Sequence, residues 1–367
     1  MKALLISGIY RPEIGGPATY IPALADKLTK EGNKVEVLTL RNSSAKDLSE
    51  KWSMNYLIRD QKLPIRFFKT FIKIRKLATS ADVVFANGLF QESAIAIMFM
   101  KKRSVAKVVG DAVWERARNK GRTKLDIVAF NHSKLSLNQR FQRSFIAWSL
   151  NRFDVITCPS AELKTLIQSW GVRRPIEFIP NGVEIAKVSN LDKEFDLVSV
   201  CRLVTWKNID KLIRACAETN SKLAIVGSGP EEENLKSLAL SLNADVVFMG
   251  QVGEDKVNAV LEKSKIFALL SDYEGLSFSL LQAMAAGLPS IVSTAKGNTD
   301  VISNGIEGVV VDISNQEKIL NAIKDLKDSP EDSRKYGQAA RSKVERNYLQ
   351  ENQIQKVIEL FKAESAI

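Results

Sequence analysis

Histidine is nearly missing from this chain: among 367 residues there is one, His132. A histidine-based zinc site is all but excluded, and the three scattered cysteines, Cys158, Cys201 and Cys216, form no cluster to replace it. A Ser-His-Asp triad would have to run through His132, which sits in a polar stretch without a nucleophile elbow and reads as a surface loop residue. An odd cysteine count with no paired spacing points to a reducing, cytoplasmic compartment. No apolar run approaches the ~18 residues needed to span a bilayer; Ser93–Met100 comes nearest. The opening MKALLISGIY reads as a first β-strand, without a signal-peptide core or cleavage site. No G-x-G-x-x-G opens a helix after that strand, which disfavours a nicotinamide-dependent dehydrogenase. No Asp-x-Asp metal motif and no short repeat is visible. Acidic residues are scarce in one half only. Residues 1–181 carry 31 Lys and Arg against 15 Asp and Glu, a net +16; residues 182–367 carry 22 against 27, a net −5. The basic half is expected to meet an anionic surface or acceptor. Nucleic acid is not the expected target, since no aromatic-basic motif accompanies the charge.

What is present is a steady alternation of short apolar runs with longer amphipathic segments, the pattern of βαβ units with parallel sheets. Strands are expected near Ala3–Ser7, Val35–Leu40, Val83–Phe85, Lys107–Val109, Val155–Cys158 and Glu177–Ile179. A second set is expected near Leu197–Val200, Leu223–Val226, Val246–Met249, Phe267–Leu270, Ser290–Val292 and Val309–Val311. Pro180-Asn181-Gly182 ends a strand in turn residues, and the polar stretch Val183–Glu194 reads as a linker. The expected division is 1–181, 182–345 and a C-terminal helical segment, 346–367, that could pack back on the first domain.

The richest stretch is Ser271–Pro289, SDYEGLSFSLLQAMAAGLP. A strand ends in a turn carrying Glu274, and a small-residue helix follows. Gln282 stands eight residues on, just over two helical turns, so both side chains can face one crevice at a strand's C-terminal end. N–H groups of residues 276–279 start that helix and suit a phosphate or hydroxyl. Earlier, Arg202 and Lys207 stand five apart after a strand, where two cations could neutralise a diphosphate leaving group. Val226-Gly227-Ser228-Gly229-Pro230 and Met249-Gly250-Gln251-Val252 are further strand-end turns. Near the N-terminus, Tyr10–Pro17 places Gly15 and Gly16 between a strand and a helix, where glycine lets a ligand approach closely.

Singly these motifs are ordinary. In this order they resemble the retaining glycosyltransferases of family 4, also called glycosyl transferases group 1, over nearly the whole chain. The resemblance implies the GT-B fold, α/β, with two Rossmann-like domains facing across a cleft. It implies a nucleotide-sugar donor, no metal or other cofactor, and a glycan or lipid-linked acceptor. It places Gly15 and Gly16 near donor diphosphate and acceptor, Arg202 and Lys207 on the diphosphate, Gly227 near the donor, and Gln251 and Val252 against the nucleobase. It puts Glu274 on the hexose, with Gly275, Leu276, Ser277 and Phe278 beside it. The family has a second Glu, for the ribose, where this chain has Gln282, so Gln282→Glu is expected to tighten nucleotide binding. The family's first-domain His is also absent. Asp111, in Gly110-Asp111-Ala112-Val113-Trp114-Glu115, stands in its place, as in one branch of these enzymes. Its two readings are a sugar or acceptor contact and a cap on the following segment. Asn208 stands where Gly is common.

Ile65–Ala78, IRFFKTFIKIRKLA, fills about half a helical wheel with apolar side chains. Arg66, Lys69, Lys73 and Lys76 gather on the opposite arc. A surface helix packed on the sheet is one reading; the other is a basic helix lying on the anionic inner face of a membrane. The expected activity is transfer of a hexose or N-acetylhexosamine in cell-envelope polysaccharide or glycolipid synthesis. Two other readings are a sugar-nucleotide epimerase on the same fold and a catalytically weak carbohydrate-binding protein.

Overall fold

The computed structural model describes residues 1–13, 15–43, 49–185 and 192–363. Ile14 of the Gly-Gly loop, half of the expected linker and the last four residues therefore lie outside the described residues. The first half of the chain forms β1 (Lys2–Ser7), α1 (Gly16–Lys30), β2 (Lys34–Arg41), β3 (Ser53–Ile58), α2 (Leu63–Ala78), β4 (Val83–Asn87) and α3 (Phe90–Ile97). It continues through β5 (Arg103–Lys107), α4 (Ala112–Asn119), α5 (Ile127–His132), α6 (Leu137–Leu150), β6 (Val155–Cys158), α7 (Ala161–Ser169) and β7 (Ile176–Phe178). The second half forms β8 (Phe195–Val200), α8 (Ile209–Glu218), β9 (Leu223–Val226), α9 (Glu232–Ser241), β10 (Val246–Phe248), α10 (Glu254–Glu262) and β11 (Ser264–Leu269). Then come α11 (Phe278–Ala285), β12 (Ser290–Ser293), α12 (Lys296–Thr299), β13 (Gly308–Val311), α13 (Gln316–Asp328), α14 (Pro330–Asn347) and α15 (Gln350–Lys362).

These elements build two α/β units, each around one all-parallel sheet. The first sheet runs β3-β2-β1-β4-β5-β6-β7 and the second β10-β9-β8-β11-β12-β13. Parallel strands with helices on both faces are buried on both sides, which is why β4 and β9 are buried throughout and, Asn87 at the end of β4 apart, apolar. In each sheet the order reverses once, between β1 and β4 and between β8 and β11. Such reversals open a crevice at the strands' C-terminal ends, the usual ligand position of an open α/β sheet. The division is not one cut in the chain. Arg116–Asp126 belongs with the second unit, and the residues from Glu351 on belong with the first. There α15 buries Ile354, Val357, Ile358 and Phe361. The ring of Phe361 meets that of Phe85 on β4 at 5.8 Å, and Leu360 O accepts from Arg103 Nε at 2.8 Å.

Three local expectations shift. β5 ends at Lys107, four residues earlier in its start than expected: Val108 still donates to Thr157 O (2.9 Å), but Gly110 then turns the chain into α4. β3 gave no apolar run to read, being an edge strand of half-buried residues. His132 closes α5 instead of lying in a loop, and it is exposed.

The face that α2 turns to solvent is apolar as well as basic, with Lys69, Arg75 and Lys76 exposed. Thr70, Ile74 and Ala78 are buried, and the helix packs beside α3. Leu63, Ile65, Phe68 and Ile72 are each at least 48% exposed. At 100° per residue, Ile65, Phe68 and Ile72 share an arc of about 60°, with Lys69 and Lys76 bordering it. Among the described residues no helix is long and apolar enough to cross a membrane.

Candidate active site

In the second unit the chain leaves β8 through Cys201 and Arg202, makes a short 3-10 turn at Thr205–Lys207, and enters α8 at Asn208. Asn208 holds a left-handed conformation, φ 50°, which glycine adopts freely and asparagine tolerates. Its side chain uses that position: Nδ2 donates to Leu270 O (2.8 Å) and Asp272 Oδ1 (2.7 Å). Asp272 N in turn donates to Trp206 O at 2.8 Å, and Arg118 pairs with Asp272 Oδ2. The loops after β8 and β11 are thus laced together at the reversal of the sheet.

Glu274 lies in this lacing, 9% exposed. Lys207 Nζ donates to Glu274 Oε1, and Ser271 Oγ donates to the same oxygen at 2.6 Å. Ser271 is held from behind by Ser293 Oγ, which donates to its carbonyl at 2.5 Å. The backbone of Glu274 rests on Gly297, where a Cβ would stand 2.1 Å from Glu274 O; only glycine fits. Gly275 and Leu276 are buried, and Leu276 O accepts from Asn181 Nδ2 at 2.8 Å. Ser277 caps α11, its Oγ accepting from Leu280 N at 3.3 Å; Phe278 opens the helix, half-buried. Arg202 is exposed on the same post-β8 loop.

Gly227 does serve a close approach, but to protein. A Cβ there would lie 1.9 Å from Cys201 O, and the residue sits at φ 134°. Its N–H donates to Gly250 O at 2.8 Å, tying the β9 turn to the β10 turn. Gln251 is exposed and accepts from Ser228 Oγ at 3.4 Å; Val252 is half-buried. Gln282 projects from α11 toward α10, where its Nε2 donates to Glu254 Oε1 at 3.3 Å.

The first-unit residues are placed separately. Gly15 is the N-cap of α1 and Gly16 its first residue, with Pro17 in the opening turn. Asp111 is 1% exposed and both its oxygens are committed. Oδ1 caps α4, accepting from Val113 N (3.0 Å) and Trp114 N (3.2 Å). Oδ2 accepts from Asn131 Nδ2 (3.0 Å) and Arg143 Nη2 (2.6 Å). Asn131 Oδ1 accepts from Trp170 Nε1 at 2.9 Å, and the Arg143 guanidinium stacks on that ring at 4.7 Å. Capping is therefore a role Asp111 fills. Asn131, Arg143, Trp170, Arg118 and Glu254 are partners that no sequence signal marked, while Ser271 and Asp272 lie in the stretch the sequence singles out but were given no role in it. Only Asn208 stood out, through its place in a glycine position.

Two family descriptions match the chain: Glycosyltransferase Family 4 over residues 14–187 and Glycosyl transferases group 1 over residues 183–343. An uncharacterized glycosyltransferase of Methanocaldococcus jannaschii is 24% identical across 98% of both chains. The alpha-monoglucosyldiacylglycerol synthase of Streptococcus pneumoniae is 23% identical over 84% of this chain and 75% of its own. The crystal structure of Anabaena HepE in complex with UDP and glucose superposes with a TM-score of 0.78, at 18% identity, over 99% of each chain. That likeness bears on the fold, which is GT-B. With both matches spanning residues 14–343, the chain joins a Glycosyltransferase Family 4 domain to a Glycosyl transferases group 1 domain and belongs with the glycosyltransferases.

Proposed function

We propose that this enzyme is a retaining glycosyltransferase that moves a hexose or N-acetylhexosamine from a nucleoside-diphosphate sugar to a glycan or lipid-linked acceptor, in cell-envelope polysaccharide or glycolipid synthesis. The observation that carries the reading is the Lys207–Glu274 pair, held at the reversal of the second sheet by Ser271, Asn208 and Asp272. One ammonium and one carboxylate are fixed side by side there. The ammonium, with Arg202, suits a diphosphate on which charge grows as the glycosidic bond breaks. The carboxylate suits hexose hydroxyls, which are donors. Departure of the diphosphate and attack of the acceptor on one face of the sugar retains configuration without a covalent enzyme intermediate. Gln251 and Val252 are proposed to meet the nucleobase, the α11 N-terminus (Gly275 to Phe278) the sugar and phosphate, and Gly15 and Gly16 the diphosphate. No metal is required in this scheme, because cationic side chains neutralise the leaving group. Asp111 supports the acceptor side indirectly, by fixing the start of α4.

The apolar outer face of α2, bordered by Lys69 and Lys76, is proposed to rest on an anionic membrane, on its cytoplasmic side. The diacylglycerol in the name of the Streptococcus relative supports a lipid-linked acceptor. A thermal-shift panel of UDP, GDP and ADP sugars tests the donor assignment. A donor at 100 times its dissociation constant adds about 2.7 kcal/mol to stability. A flat response to the whole panel would remove the transferase reading.

A further inference from the structure

We infer that Glu254 supplies the carboxylate of the nucleotide's ribose subsite and that Gln282 positions it; this rests on the nucleotide-sugar reading above. Glu254 is the first residue of α10, directly after the β10 turn that carries Gln251 and Val252. That turn is tied to the Gly227 turn by the Gly227 N–H to Gly250 O bond, and Glu254, after the edge strand β10, follows the same C-terminal strand ends as Lys207 and Glu274 after the central strands β8 and β11. Gln282 stands across from it on α11, the helix that Ser277 caps.

The hydrogen bond between them settles how the two side chains act. A primary amide has one acceptor and one donor end. With Nε2 given to Glu254 Oε1 at 3.3 Å, the amide carbonyl of Gln282 remains an acceptor. The pair therefore offers an amide carbonyl beside a charged carboxylate. A vicinal diol is the complementary group, since it brings two adjacent O–H donors, and hydrogen bonds to a charged acceptor are the stronger kind. Among the parts of a nucleotide sugar, the ribose 2′- and 3′-hydroxyls fit this description at the nucleoside end of the site. The negative charge that position 282 lacks is thus present, brought by a neighbouring helix. The tightening expected of Gln282→Glu then reverses: a second carboxylate at this distance from Glu254 repels it, and the repulsion favours protonation of one of the two.

Calorimetric titration with UDP, GDP and their 2′-deoxy analogues tests this on the full chain, using the wild type, Glu254→Gln, Gln282→Glu and the double exchange. Glu254 is exposed, so unfolding temperatures of the variants are expected to match the wild type. The wild type is expected to prefer the ribonucleotide to its deoxy form about tenfold. Glu254→Gln should lose about tenfold in ribonucleotide affinity and lose that preference. Gln282→Glu alone should weaken binding and gain affinity as pH falls, while the double exchange, which restores one carboxylate and one amide, recovers binding. A ribose preference unchanged in Glu254→Gln, or a tighter-binding Gln282→Glu, overturns the inference and leaves the nucleotide reading standing. Absence of any nucleotide binding by the wild type overturns both.

Discussion

Asp111 shows how much a single residue's surroundings decide its role. Its carboxylate faces Arg143 inside the first unit, with the pair nearly excluded from solvent. Burial holds the Arg143 guanidinium below its ordinary pKa, and Asp111 opposes that shift. Removing one partner of such a pair strands the other, at a cost of about 3–5 kcal/mol. Asp111→Asn is therefore expected to lower the urea midpoint sharply, because the amide can still cap α4 but meets the donors of Arg143 and Asn131 with a donor of its own. Turnover by the folded fraction should survive. Native stability with turnover abolished would instead assign Asp111 to the substrate. The sequence made some of these residues legible and hid others for a physical reason. Lys207, Glu274 and Gln282 stand at fixed spacings around strand ends, so the local chain carries their relation. Asn131, Arg143 and Trp170 come from α5, α6 and the end of α7, and only tertiary packing brings them to Asp111. Glu254 looked like any acidic residue in a helix's first turn.

Among the elements, the strands with unbroken apolar runs, Val83–Ala86 in β4 and Leu223–Val226 in β9, were readable because both faces of a parallel sheet are buried. β3 was not, since an edge strand needs no such run. α14 was hidden for a related reason: across eighteen residues it buries only Gly337, Ala340 and Val344. α2 gave its length but not its orientation. Its wheel has more apolar positions than the protein interior uses, and the surplus faces outward. That surplus carries the element's prediction. In flotation, binding to vesicles containing anionic lipid is expected to exceed binding to neutral vesicles. The Phe68→Glu and Ile72→Glu double variant should lose most of it, each position forfeiting about 1.5–3 kcal/mol of apolar burial. Equal flotation of the variant and the wild type would dismiss α2 as the contact.

At the scale of the molecule, buried titratable groups set how stability follows pH. Burial lowers the Lys107 ammonium to about 8 from 10.5, while its Nζ sits over the Tyr20 ring at 4.4 Å. Between those values the unfolded chain holds a proton that the native state has released, so stability rises with pH. Burial pushes the Cys158 and Cys201 thiols up to about 11 and Cys216 to about 12, from 9. Above pH 9 the unfolded chain therefore sheds protons that the native state keeps, and stability falls. Urea midpoints are expected to climb from pH 7, peak between the onsets of these two effects, and decline beyond. Lys107→Met should abolish the climb and keep the decline; an unchanged climb would show that Lys107 is not its source.

The return of α15 to the first unit has a consequence for synthesis. Ile354, Val357, Ile358 and Phe361 complete a core whose other residues precede the bulk of the second unit in the chain. In chain order those four come only after the whole second unit. The first unit must therefore wait, one layer short, while the whole second unit is translated. A transcript cut just before Glu351 would leave a finished second unit attached to a first unit with the Phe85 side of its sheet uncovered, a target for chaperones and proteases rather than an enzyme.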